Sequence, residues 1–157
     1  MEAEVIGLDA INAFLMNKVL WCAVAAWFAA QALKIPIYRL VEKRWDLGRF
    51  FGSGGMPSSH TAFCVSLAIM SGYVAGFDKP EFAVAVVLAC IVMYDASGVR
   101  RETGLQAEVI NDIIEKVFVN GEPITDVELK ELVGHTKLEV WGGFIVGVLV
   151  SLLFILI

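Results

Sequence analysis

Charge is scarce in this chain of 157 residues: Asp, Glu, Lys and Arg make up only 18%, and the formal net charge is −5. Without a basic excess, nucleic acid is not an expected partner. The three cysteines, Cys22, Cys64 and Cys90, lie inside apolar runs. They form no C-x-x-C pair and no disulfide framework, so they read as small core residues. No cluster of carboxylates, cysteines or histidines has metal-ligand spacing, so neither a metal nor a cofactor is expected. The acidic start Met1-Glu2-Ala3-Glu4 is not followed by a small-residue cleavage site and does not read as a typical secretory signal. Internal repeats and low-complexity tracts are lacking. Histidine occurs only twice, at His60 and His135.

Apolar residues fill the space that charge leaves. They make up 58% of the chain, and the mean hydropathy is +0.73, against a soluble norm of roughly half apolar. The composition predicts an all-α integral membrane protein, a single membrane domain over residues 1–157. Four spans of the required length are read at about 11–33, 57–77, 82–97 and 137–157. A polar insertion, 98–136, separates the last two. Leu105, Val109, Ile113 and Val117 recur at helical spacing there, predicting an amphipathic helix over about 102–119. Thr125 and Glu128 form a capping-box pattern for a second short helix ending at Gly134. Pro36 suggests a kink or a helix end.

Basic residues concentrate in two loops. Five of the twelve Lys and Arg fall in 34–56 and five in 98–138, with only Lys18 and Lys79 elsewhere. The positive-inside rule puts both loops in the cytoplasm. With four spans, both loops emerge on one face, which gathers the polar residues of interest there.

One loop on that face is Gly52-Ser53-Gly54-Gly55-Met56-Pro57-Ser58-Ser59-His60. Proline is favoured at the first helical position, so a helix is expected to start near Pro57. The N–H groups of Ser58, Ser59 and His60 would then point out of its N-terminus, a setting that attracts phosphate. Glycines such as Gly55 let a bulky anion approach the backbone. The alternative is a flexible glycine turn before a membrane helix. Lys34, Arg39, Arg100 and Arg101 supply cations that suit phosphate oxygens, or serve as ordinary positive-inside anchors. Glu139 follows His135 by four residues, which on a helix puts both on one face. An anion cradle, basic clamps, two histidines and a carboxylate are what phosphoryl transfer through a phosphohistidine requires.

These residues carry a family resemblance. Gly54-Gly55-Met56-Pro57-Ser58-Ser59-His60 is similar to the P-S-G-H element of the type 2 phosphatidic acid phosphatases and vanadium haloperoxidases. The chain more closely resembles the divergent PAP2 (DUF212) membrane proteins, from about Gln31 to the C-terminus. Its marks are Gln31-Ala32-Leu33-Lys34, the Gly54–His60 element, Asp95-Ala96-Ser97-Gly98-Val99-Arg100-Arg101 and Gly134-His135-Thr136-Lys137-Leu138-Glu139-Val140. The resemblance implies a reduced PAP2 core of four helices. It implies that Lys34 and Arg39 clamp phosphate, that Ser58 and Ser59 cradle it and that His60 is the general acid. It also implies a third motif split in two: Arg100 or Arg101 in front, and His135 as nucleophile with Glu139 as its carboxylate, 34 residues after Arg101. Three departures stand out. No proline follows Arg39, Ser59 replaces a glycine, and Glu139 replaces an aspartate.

The function implied is a metal-independent lipid phosphate phosphatase acting on polyprenyl or glycerolipid phosphates at the bilayer surface. The alternative is a non-catalytic lipid-phosphate binding or transport protein that keeps the cradle. A multi-pass protein of the bacterial plasma membrane is expected, with the site facing the cytoplasm and the lipid bilayer as its surroundings. Oligomeric state is left open.

Overall fold

The computed structural model describes residues 2–52, 54–98, 103–107, 109–111 and 136–157. Among them the only regular structure is helical. Helix α1 spans Glu2–Leu15 and α2 spans Lys18–Glu42, followed by a short 3₁₀ helix at Leu47–Phe51. Then come α3 (Ser59–Ala75), α4 (Pro80–Ser97) and α5 (Lys137–Leu156). Arg100, Arg101, His135 and most of the expected insertion lie outside the described residues; 103–107 and 109–111 are helical.

The helix that overlaps the first expected span, about 11–33, is α2, which starts and ends later. The chain breaks at Met16-Asn17, and Asn17 caps α2 by accepting a hydrogen bond from the Leu20 N–H at 3.0 Å. Asparagine is among the best N-caps, so a new helix starts there. At the other end, α2 does not stop at Pro36 but continues to Glu42, closed by Lys43 in the left-handed region. Proline removes one helical hydrogen bond; contacts on either side of it support the helix. Lys34 donates to the Gly52 carbonyl, and the Arg49 guanidinium sits over the Tyr38 ring.

Helix α3 is the centre of the molecule. Ten of its 17 residues are buried, and α2, α4 and α5 pack around it. Small residues make these contacts close, as suits helices in lipid. From α2, Ala26 and Ala30 meet Ala62 of α3. From α5, Gly143 faces the Ser58 carbonyl and the Thr61 side chain so tightly that a Cβ there would collide with both. One turn on, a Cβ at Gly147 would lie 2.8 Å from the Ala62 carbonyl oxygen. Ser151 continues the stripe, its hydroxyl bonded to the Gly147 carbonyl.

Three described helices, α2, α4 and α5, are long and apolar enough to cross a membrane, where four were expected. Helix α3 has 17 residues, a rise of about 26 Å against a hydrocarbon core of roughly 30 Å. Its start also differs. The helix begins at Ser59, not Pro57, because the Ser58 hydroxyl takes the cap position. Proline-first initiation is realised instead at Pro80 of α4.

Candidate functional site

The start of α3 and the start of α5 are tied together. The Ser58 N–H donates to the Glu139 carbonyl at 2.9 Å, and the Ser58 hydroxyl accepts from the Thr61 N–H and hydroxyl. Ser58 is therefore fully engaged within the protein, and its N–H, expected to face an anion, is occupied. Ser59 beside it is buried. Glu139 belongs to a capping box: Thr136 accepts from the Glu139 N–H, and the Glu139 carboxylate accepts from the Thr136 N–H at 3.2 Å. Helix α5 begins at Lys137 with Thr136 as its N-cap, and His135, the expected partner of Glu139, lies outside the described residues. The T-x-x-E signature that announces this start stood in the sequence at Thr136–Glu139.

A cleft of about 190 Å³ opens between this junction, α2 and the glycine loop. Lys34, Tyr38, Arg49, Gly54, Gly55 and Glu139 supply its polar and backbone surface; Ile37, Val41 and Met56 complete the wall. Lys34 is the one charged side chain that is buried among the described residues, 2% exposed. Burying an ammonium is costly unless it is compensated. Here the Gly52 carbonyl accepts from Nζ at 2.9 Å, and the Glu139 carboxylate attracts the charge.

Arg49 reaches the same cleft from the 3₁₀ helix. Asp46 caps that helix through the Gly48 N–H and sets its Oδ2 3.2 Å from Arg49 Nε. The guanidinium carbon lies 4.3 Å from the centre of the Tyr38 ring, a cation–π geometry. Tyr38, and to a lesser degree Asp46, push the Arg49 pKa further up, so the side chain stays charged. Gly55 has φ +90°, which a side chain would strain, and no atom lies within 4 Å of where a Cβ would be. Its backbone is thus open to an approaching ligand.

The expected site residues divide between separate places. Lys34, Gly55 and Glu139 meet at the cleft. Arg39 does not join them: five residues along α2 is a turn of roughly 140° from Lys34, and its guanidinium lies 5.8 Å from the centre of the Trp45 ring. His60 lines a second cavity of about 320 Å³ with Trp27, Phe63, Cys64 and Val92. Trp27 is two helical turns from Lys34, about 10 Å along α2. His135, Arg100 and Arg101 fall outside the described residues. Tyr38 and Arg49 were not singled out from sequence. Their signals were the i,i+4 spacing of Lys34 and Tyr38 on a helix that outlasts Pro36, and the i,i+3 pair Asp46 and Arg49.

Arranged this way, the cleft presents two fixed cations and an open glycine backbone on one side and a carboxylate on the other. It can hold an anion with several acceptor oxygens. Comparison with known proteins gives a consistent picture. The divergent PAP2 family matches residues 15–150. An uncharacterized membrane protein, YuiD of Bacillus subtilis (strain 168), is 38% identical over 148 residues, covering 88% of this chain and 94% of its own length. No solved structure matches the chain. This chain belongs to the divergent PAP2 family and is a multi-pass membrane protein.

Proposed function

We propose that this divergent PAP2 protein binds the phosphate of a phosphorylated lipid, a glycerolipid or polyprenyl phosphate, in the cleft at Lys34. The observation that carries the reading is the buried Lys34 ammonium sharing a small cleft with Arg49 and the open backbone of Gly55. A phosphate monoester would take charge-assisted hydrogen bonds from both cations, roughly twice as strong as neutral ones. The cleft lies where α2 passes from its apolar stretch to its polar end, the level of the headgroups. In this reading α3 crosses the bilayer as a fourth span, and the positive-inside count turns the cleft toward the cytoplasm of a bacterial plasma membrane.

The chemical step is a second reading, supported by the family. A histidine attacks phosphorus, an acid protonates the leaving oxygen, and water then releases phosphate from the phosphohistidine. His135 is the proposed nucleophile, His60 the acid, and Arg100 or Arg101 an added clamp. Arg39 remains a proposed cation only if it turns away from Trp45. The position of His60 in the other cavity favours binding over turnover in the arrangement described.

Phosphate release by the purified protein from a panel of lipid phosphates, beside binding of inorganic phosphate and vanadate, tests both readings. Release that is lost in His135→Ala and in His60→Ala supports the phosphatase. Binding without release, lost in Lys34→Gln, supports the binding protein. Absence of both binding and release rejects the cleft as a phosphate site.

A further inference from the structure

A second apolar cavity lies on the other flank of α5. It is a groove of about 410 Å³ between α4 and α5, walled by Met93, Tyr94, Val140, Trp141 and Phe144. Glu139 faces the cleft, whereas Lys137, Val140, Trp141 and Phe144 face this groove. The two sites are therefore separated by the body of α5. We propose that the groove seats one anionic phospholipid, its acyl chain between the two helices and its headgroup phosphate on Lys137.

The chemistry of the walls names the occupant. Both walls belong to helices suited to spanning a membrane, so the groove opens toward lipid. It runs over eight residues of each helix, from Ser97 down to Cys90 and from Lys137 down to Phe144. That is a depth of about 10 Å, within one leaflet of a core roughly 30 Å thick. Its lower part is apolar. Its upper part carries Tyr94 and Trp141, both well exposed, the residue types that settle at headgroup level. At the mouth, the Ser97 hydroxyl is bonded to the Met93 carbonyl. Lys137 is exposed, and no carboxylate among the described residues lies within ion-pair distance of it. An apolar slot ending at an ammonium with no carboxylate partner among the described residues complements an anionic lipid better than a zwitterionic one.

Native mass spectrometry of the full chain in detergent, offered phosphatidylglycerol and phosphatidylcholine of identical acyl chains, tests this. One lysine at a membrane surface supports about a fivefold preference for the anionic lipid. The wild type is expected to retain phosphatidylglycerol by that factor, and Lys137→Gln, an exposed substitution, to bring the two lipids to parity. Val140→Phe, which fills the groove, is expected to lower retention of both. Equal retention by the wild type overturns the proposal. So does a preference that survives Lys137→Gln but disappears in Lys34→Gln, which would put the lipid in the cleft instead.

Discussion

Two cavities along one face of α2 differ in what they gather. At Lys34 the helix meets a glycine loop, a capped 3₁₀ helix and the start of α5, and the cavity is polar: two cations, a carboxylate and open backbone. Two turns deeper, at Trp27, the neighbours are Phe63, Cys64 and Val92, and the single polar contributor is His60. Within about 10 Å the same helix passes from headgroup chemistry to lipid chemistry. The contrast teaches that the polar cleft and the P-S-S-H histidine occupy separate places in this chain. The cleft forms where loops and helix ends converge, and its lining residues come from several segments rather than from one motif.

The sharpest way to break the contrast is to destroy the junction that builds the polar cavity. Gly143→Leu would drive a side chain into the Ser58 carbonyl and Thr61, parting α3 from α5. Overpacking commonly costs about 1–3 kcal/mol, and a backbone collision belongs at or above the top of that range. A thermal melt in detergent should show a large loss of stability, with phosphate binding lost as well. An unchanged melt would mean that α3 and α5 do not approach as described.

Removing the buried cation comes next. Lys34→Gln keeps a donor but loses the charge. A hydrogen bond to a charged group contributes about 1.5–3 kcal/mol, so phosphate affinity measured by calorimetry should fall by at least about tenfold. A smaller effect separates the two arginines. Arg49→Lys keeps charge but loses the planar fork and the stack on Tyr38. It should weaken phosphate binding by about fivefold, given a cation–π and fork contribution near 1 kcal/mol. Arg39→Lys should leave it within about twofold, as expected for a cation outside the cleft. Reversal of that order would return the clamp to Arg39. A modest effect, on stability alone, is expected at Thr136→Ala, which deletes the N-cap of α5. It should cost about 1 kcal/mol of stability, visible as a modest shift in the melt, while Lys34 keeps its cleft.

Parts of this organisation were legible in the residues. Apolar runs placed α4 and α5 to within a few residues. The gathering of Lys34, Gly55 and Glu139 on one face followed from topology. Less legible were the positions where a local rule met a tertiary contact. Pro36 reads as a kink or a helix end, and with Lys34 and Tyr38 held from outside α2 the helix continues through it. Pro57 reads as a first helical residue, yet the Ser58 hydroxyl is the better cap. The capping box of Thr136 and Glu139 was not singled out, because the spacing of His135 and Glu139 stands out instead. Arg49 was counted as one more basic loop residue. Only the fold shows that Asp46 and Tyr38 hold it against Lys34's side of the cleft. The run at about 57–77 reads as a span whose small residues suit close helix packing. Those residues make α3 the most enclosed helix, and its length falls short of the other three.

The most direct test of the central claim is the affinity of inorganic phosphate for the wild type, Lys34→Gln and His60→Ala, measured in lipid nanodiscs by calorimetry. The account predicts binding by the wild type, a loss of at least about tenfold in Lys34→Gln and near-wild-type affinity in His60→Ala. Binding that survives Lys34→Gln and vanishes in His60→Ala would contradict it.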